Sequence, residues 1–115
     1  MASTFKNAGI TVPVVDTTAG DLFTAGASAT AVIHALYISN KSTSASATVN
    51  VKVTTDGGST FYHIGKSLEV PPNNTLTLDK PVNLESSDKI RIVADANPDS
   101  SSVDVEAYAS ILELT

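Results

Sequence analysis

Between Ala47 and Thr54 every second side chain is apolar. Ala47, Val49, Val51 and Val53 alternate with Thr48, Asn50, Lys52 and Thr54. A period of two puts the first set on one face of an extended strand and the second on the other, so this segment reads as a strand with one buried face. Asp56-Gly57-Gly58 follows, and glycine supplies the positive φ of a tight hairpin. Thr60–Ile64 then returns antiparallel. The rest of the chain must supply what covers the buried face.

It supplies more strands. Turn clusters recur every eight to twelve residues or so, the spacing of an all-β sandwich or barrel, and no apolar stripe of period 3.6 has helical length. Gly9–Val15 reads as a first strand, with Pro13 marking an edge or an end. Leu22–Thr24 is short. Thr30–Ser39 is long, with Val32, His34, Leu36 and Ile38 on one face and Ile33, Ala35 and Tyr37 on the other. Apolar residues on both faces predict a central strand. Leu68–Val70 resumes after a break at Gly65, and Leu76 and Leu78 point inward from Thr75–Leu78. Val82 and Leu84 tuck under the sheet from the connector Pro81–Ser87. Ile90 and Ile92 point inward from Asp88–Ala94, and Lys89 and Arg91 outward. After a polar loop at Asn97–Ser102, the strand Val103–Leu114 lines one face with Val103, Val105, Ala107, Ala109 and Ile111. The expectation is an all-β antiparallel sandwich, jelly-roll or immunoglobulin-like, of about seven to eight strands. Residues 30–115 form its core, and 1–29 form a contact-making arm with the first strand or strands, one domain overall.

Composition narrows the function. At 115 residues the chain suits one domain. It has no Cys, hence no disulfide framework and no Cys-based metal or redox site. A net charge of −5 argues against sequence-independent nucleic-acid binding, which needs a basic face. No run approaches the about 18 apolar residues of a membrane span. Met1–Ile10 has no apolar core of a signal peptide, so secretion is not expected. There is no GxSxG elbow and no Gly-rich phosphate loop, and neither an enzyme nor a cofactor is expected. His34 and His63 lack the close spacing of a metal pair. Asp95, Asn97 and Asp99 begin like a calcium loop, with Glu106 at the twelfth position. The sixth position, normally Gly, is Ser100, and Pro98 suits an ordinary polar loop. Asn40-Lys41-Ser42 and Asn73-Asn74-Thr75 fit the glycosylation pattern and read as exposed loops. A sugar platform would need Phe61 or Tyr62 beside Tyr37 or Tyr108, in a chain without Trp.

The C-terminal strand carries the one hint of a partner. Asp104, Glu106, Tyr108 and Ser110 face solvent, and Leu112 and Leu114 continue that face while Ile111 ends the inward one. A β-bulge, or a tail buried on its own sandwich, would explain an end that is apolar on both sides. So would an intersubunit contact. Leu112, Leu114 and Tyr108, with Phe5, Ile10 and Val12 from the N-terminal segment, are the candidate contact residues.

Several runs carry a resemblance. They are Val32-Ile-His-Ala-Leu-Tyr-Ile-Ser-Asn40, Asp56-Gly-Gly-Ser-Thr-Phe-Tyr-His-Ile-Gly-Lys66 and Val70-Pro-Pro-Asn-Asn-Thr-Leu-Thr-Leu-Asp-Lys-Pro81. Asn83-Leu-Glu-Ser-Ser-Asp-Lys-Ile90 and the ending Ala109-Ser-Ile-Leu-Glu-Leu114 belong with them. From Thr30 to its end the chain resembles small virion structural proteins of tailed bacteriophages, especially marine phages and cyanophages. The resemblance implies a compact, non-enzymatic β-sandwich assembled in the bacterial cytoplasm and located in the virion. It implies contact with the major capsid protein or with neck or tail subunits, and a homo-oligomer, with a trimer the expected form. A capsid decoration (cement) protein is the expected role. A neck, tail or fibre component is the alternative, or a carbohydrate-binding module for host attachment. No functional residue transfers one by one. The first 29 residues resemble no family, and their Ala/Thr/Gly-rich character suits an arm that orders on a neighbour.

Overall fold

Nine strands wrap into two antiparallel sheets in the computed structural model, which describes residues 3–95 and 105–115. They are β1 (Ser3–Thr11), β2 (Asp21–Thr24), β3 (Thr30–Asn40), β4 (Ala47–Thr54) and β5 (Phe61–Val70), then β6 (Asn74–Leu78), β7 (Val82–Leu84), β8 (Lys89–Ala94) and β9 (Val105–Leu114). One sheet has the order β1-β9-β3-β6, with β7 also on β3; the other has the order β2-β8-β4-β5. The pairings nest. β1 pairs β9, β2 pairs β8, β3 pairs β6 and β7, and β4 pairs β5. A chain folded back on itself in this way is a jelly roll. The all-β sandwich expected from the alternating runs is the fold.

The inner faces make the core. Val49 and Val51 of β4 and Ile90 and Ile92 of β8 are fully buried against Leu36 and Ile38 of β3 and Ala109 and Ile111 of β9. The β4–β5 hairpin turns at Gly57 and Gly58, both at positive φ. Asp56 Oδ1 accepts from the backbone N–H groups of Ser59 and Thr60, which fixes the turn.

Three local expectations change. The faces of β3 do not alternate throughout, because its register against β9 shifts between Ile33 and Ala35. Ala31 and Ile33 point inward, and the inward set resumes at Leu36, Ile38 and Asn40, so Val32 and the exposed His34 lie outside. A bulge puts two residues of one strand opposite one of the next, and every later side chain changes face. The first strand runs Ser3–Thr11 rather than Gly9–Val15. Pro13 instead follows the step from one sheet to the other, where the Val12 N–H bonds to Val105 and the Pro13 carbonyl accepts from Ala94. Asn40 is not an exposed loop residue, being 2% exposed. Its Nδ2 donates to the carbonyls of Ala45 (2.9 Å) and Val70 (3.0 Å), and its Oδ1 accepts from the Ser42 N–H (3.0 Å). Val70 ends β5, so this one amide ties the two sheets together.

The segment 1–29, expected to be an arm with the first strand or strands, supplies β1 to the edge of one sheet and β2 to the edge of the other. The expected loop Asn97–Ser102 and the strand residue Val103 lie outside the described residues.

Candidate functional site

The outer face of the β1-β9-β3-β6 sheet is built in rows that follow the strand register. Phe5, Leu112, Val32 and Asn83 form one row across four strands. Gly9, Tyr108, Tyr37 and Thr77 form another. Between them runs a row of small residues, Asn7, Ser110 and Ala35. Phe5 is 82% exposed, with its ring 6.4 Å from that of His34. Tyr37 and Tyr108 are 39% and 45% exposed, their ring centroids 6.2 Å apart and tilted by 41°. Tyr108 pairs across the strands with Gly9, where an added Cβ would lie 3.9 Å from the ring. The two tyrosines line a shallow depression of ≈ 390 Å³ with Thr11, Ser39 and Glu106. Among the described strand residues of this face Glu106 is the acidic one, and Lys41 pairs it at 3.3 Å.

The opposite outer face has a different character. Arg91 and Lys52 stand side by side on β8 and β4. Arg91 Nε donates to Asp21 (2.7 Å) and Nη1 to Asp16 (3.0 Å); Lys52 also bonds Asp16, and Lys89 lies 3.4 Å from Asp21. The guanidinium sits 4.2 Å from the centre of the Phe61 ring, a favourable cation–π placement. The hydrogen bond from Lys52 holds the Asp16 carboxyl below its ordinary range, against desolvation, with further help from Arg91. The bond to Asp21 holds the Arg91 guanidinium above its ordinary value. The charges satisfy one another and fasten the segment that crosses between the sheets.

The candidate contact residues separate accordingly. Phe5, Tyr108, Leu112 and Leu114 share the outer face of the first sheet. Ile10 packs against the core, and Val12, 4% exposed, is part of it. Neither offers a neighbour much surface. The alternation of β9 runs unbroken to its end, where Glu113 takes the inward position. Lys6 pairs it at 2.6 Å and the Gly26 N–H donates to it; the Lys6 bond, then the Gly26 bond, hold its carboxyl below the ordinary range.

Phe61 lies beneath Arg91, and Tyr62 is on β5 in the other sheet, so neither joins Tyr37 and Tyr108. His34 and His63 belong to different sheets. Of the calcium candidates, Asp95 accepts from Asn50 (3.0 Å) and Glu106 pairs with Lys41; Asn97 and Asp99 lie outside the described residues. No group of three or more His, Asp or Glu is placed to hold a metal ion among the described residues. Val32 and Tyr37 were not among the contact candidates, although the step of three from Ile33 to Leu36 inside an otherwise period-two run is the signature of a bulge.

No protein-family model matches the chain, and no curated protein matches it significantly. Its fold is shared. A chain from the acidic stable capsid structure of Helicobacter pylori bacteriophage KHP30 is 13% identical, with 99% of this chain and 89% of that chain covered, at a TM-score of 0.54. The core of a Drosophila NLP protein, described for pentamer formation and histone binding, is 14% identical over 94% of this chain and 97% of that one, at 0.49. A pentameric capsid protein from metagenomic phage sequences is 14% identical over 87% and 65%, at 0.42. The first likeness shows a common jelly-roll fold. The other two are too distant to support an argument.

Proposed function

We propose that this chain is a non-enzymatic structural subunit of a tailed-phage virion, acting as a decoration protein on the head exterior. The carrying observation is the outer face of the β1-β9-β3-β6 sheet. It exposes Phe5, Tyr37 and Tyr108, and its acidic group is already paired. Exposed aromatic rings grouped on one sheet face are of the kind enriched at protein contacts. The jelly-roll wrap, shared over almost the whole of both chains with a phage capsid chain, supports the reading, because jelly rolls tile viral shells. The resemblance of residues 30–115 to phage virion proteins points the same way. The mechanism is burial of surface across neighbouring capsomers, the major capsid protein being the partner, with no bond made or broken.

A second reading, host-glycan attachment, rests on the tilted Tyr37–Tyr108 pair beside Thr11, Ser39 and Glu106. Immunogold labelling of virions, with and without the gene, separates the two. Label over the head, and heads that release DNA at lower temperature when the protein is missing, is the expected result. Label confined to neck, tail or fibre replaces decoration with the alternative role. Virions without the protein overturn the virion reading.

A further inference from the structure

We infer that copies of this chain associate face to face through the outer surface of the β1-β9-β3-β6 sheet, and not edge to edge by strand addition. The inference rests on the reading of that surface as the contact face: away from the head a second copy occupies it, and on the head the major capsid protein takes that copy's place.

Charge is the first argument. The chain carries −5, yet among the described strand residues of this face the acidic one, Glu106, is paired by Lys41. On those rows two copies can be pressed together without opposing like charges. A partner selected by charge would find no free ion to pair with on the strand rows.

Area is the second. The ten residues of β9 run about 34 Å at about 3.4 Å each, and four strands about 4.8 Å apart give a footprint of about 650 Å². Side-chain relief brings that near the ~800 Å² per partner of a standard stable interface.

The edges are the third argument. β1 has a free edge, but Lys6 points from it toward the inner side, where Glu113 holds it. An inward-pointing charge on an edge strand is a guard against further pairing. The other edge is interrupted between β6 and β7 by Asp79-Lys80-Pro81, and Pro81 has no N–H to offer. Such a sheet can be stacked upon but is poorly made for extension.

Geometry completes the argument. The two bulky rows flank the small row of Asn7, Ser110 and Ala35. A two-fold axis along that small row lays the Phe5 row of each copy on the tyrosine row of the other. The contact is then isologous and closes on itself.

The test uses the full chain in sedimentation equilibrium over a wide concentration range. The wild type should associate. Phe5→Asp buries an unpaired carboxylate in the contact and should weaken association about a hundredfold or more. Phe5 is 82% exposed, so the thermal melt of the monomer should not move. Leu112→Asp should weaken association too, with a lower melt because Leu112 is half-buried, and Lys66→Asp on the other sheet should leave association unchanged. The chain has no Cys, so Ser110→Cys gives one thiol near the axis, which a short bis-maleimide should link into dimers. A monomer at every concentration overturns the inference. So does association that survives both Asp variants, or association that protects the outward amides of β1 from hydrogen exchange. A monomer that still labels phage heads would defeat this inference alone. An oligomer absent from virions would defeat the virion reading and leave this one standing.

Discussion

Asn40→Leu removes hydrogen bonds while keeping the same branched outline of four side-chain heavy atoms, and the structure says how much that should matter. The amide makes three bonds: two donated to the carbonyls of Ala45 and Val70, one accepted from the Ser42 N–H. Each is worth about 1 kcal/mol net, and a stranded buried group adds about 1–3 kcal/mol of desolvation. The Ala45 bond is only part-buried and water can replace it, whereas the Val70 carbonyl is buried. Without the Ala45 bond, two lost bonds at about 1 kcal/mol each and at least about 1 kcal/mol for stranded groups come to about 3 kcal/mol as a lower bound, a large share of the about 5–15 kcal/mol that holds a domain of this kind together. Urea unfolding followed by circular dichroism should show the midpoint falling with the slope unchanged, and the melting temperature should drop by about 10–15 °C. Asn40→Asp sharpens the test. It keeps the acceptor for Ser42 but sets a carboxylate against two carbonyl oxygens, so it should be at least as destabilising. A loss below about 1 kcal/mol for the Leu variant, or native stability for the Asp variant, would refute the amide as the clamp between the sheets.

Further outcomes follow from the packing and the charges. Gly20→Ala should destabilise by about 1–3 kcal/mol, because its new Cβ would lie 2.6 Å from the Ile92 carbonyl oxygen; Gly26→Ala, with 3.4 Å to its nearest neighbour, should be near neutral. Arg91→Met should cost about 2 kcal/mol by taking from the largely buried Asp21 its charged 2.7 Å donor and leaving it only Lys89 at 3.4 Å, and Arg91→Lys should recover less than half, since it lacks both the fork and the flat face over Phe61. Both are read from urea midpoints. Acid should weaken the fold through Asp16 and Glu113, whose folded-state pKa values lie below the ordinary 3.8 and 4.5. For such a carboxylate the stabilisation is present above the unfolded pKa and is lost as pH falls through the folded one. Urea midpoints measured downward from neutral pH should fall in that acid window. A double variant, Asp16→Asn with Glu113→Gln, should flatten the slope, and an unchanged slope would show that these ion pairs are not responsible.

The strands that alternated cleanly were legible because each buries one face and nothing interrupts it. Val49 and Val51, Ile90 and Ile92, and Val105 through Ile111 all lie inward as their period of two requires. β3 was legible as a long central strand but not in its faces. With apolar residues on both sides, only the spacing from Ile33 to Leu36 records the bulge that sends Val32 and Tyr37 to the outer surface. β1 was read too late in the chain. Its inward residues are Lys6, Ala8 and Ile10, a set that includes a charge and sits at a sheet edge. Lys6 makes sense there only once Glu113 is beside it, and that partner belongs to the far end of the sequence.

The contact face shows the same division between local and distant information. Leu112 and Leu114 follow from alternation alone. The apolar end of β9 involves no bulge: the unbroken period gives Glu113 the inward place and Lys6 its charge balance, and Leu112 and Leu114 lie half-buried on the outer face. Alternation could also turn Lys89 and Arg91 outward, but it could not say that they would be unavailable to a partner. Asp16 and Asp21 reach Arg91 from 75 and 70 residues away, and no local pattern carries a pairing of that range. This long-range pairing is what makes the two outer faces unlike each other. One ties up its ions to hold a crossing segment against the sandwich. On the described strand rows of the other the acidic Glu106 is paired with Lys41, and the large hydrophobic residues exposed on it are Phe5, Tyr37 and Tyr108. A surface that has cancelled its charge and kept its aromatic rings is suited to another protein surface more than to water, which is why the function is argued from that face and not from the richer chemistry opposite.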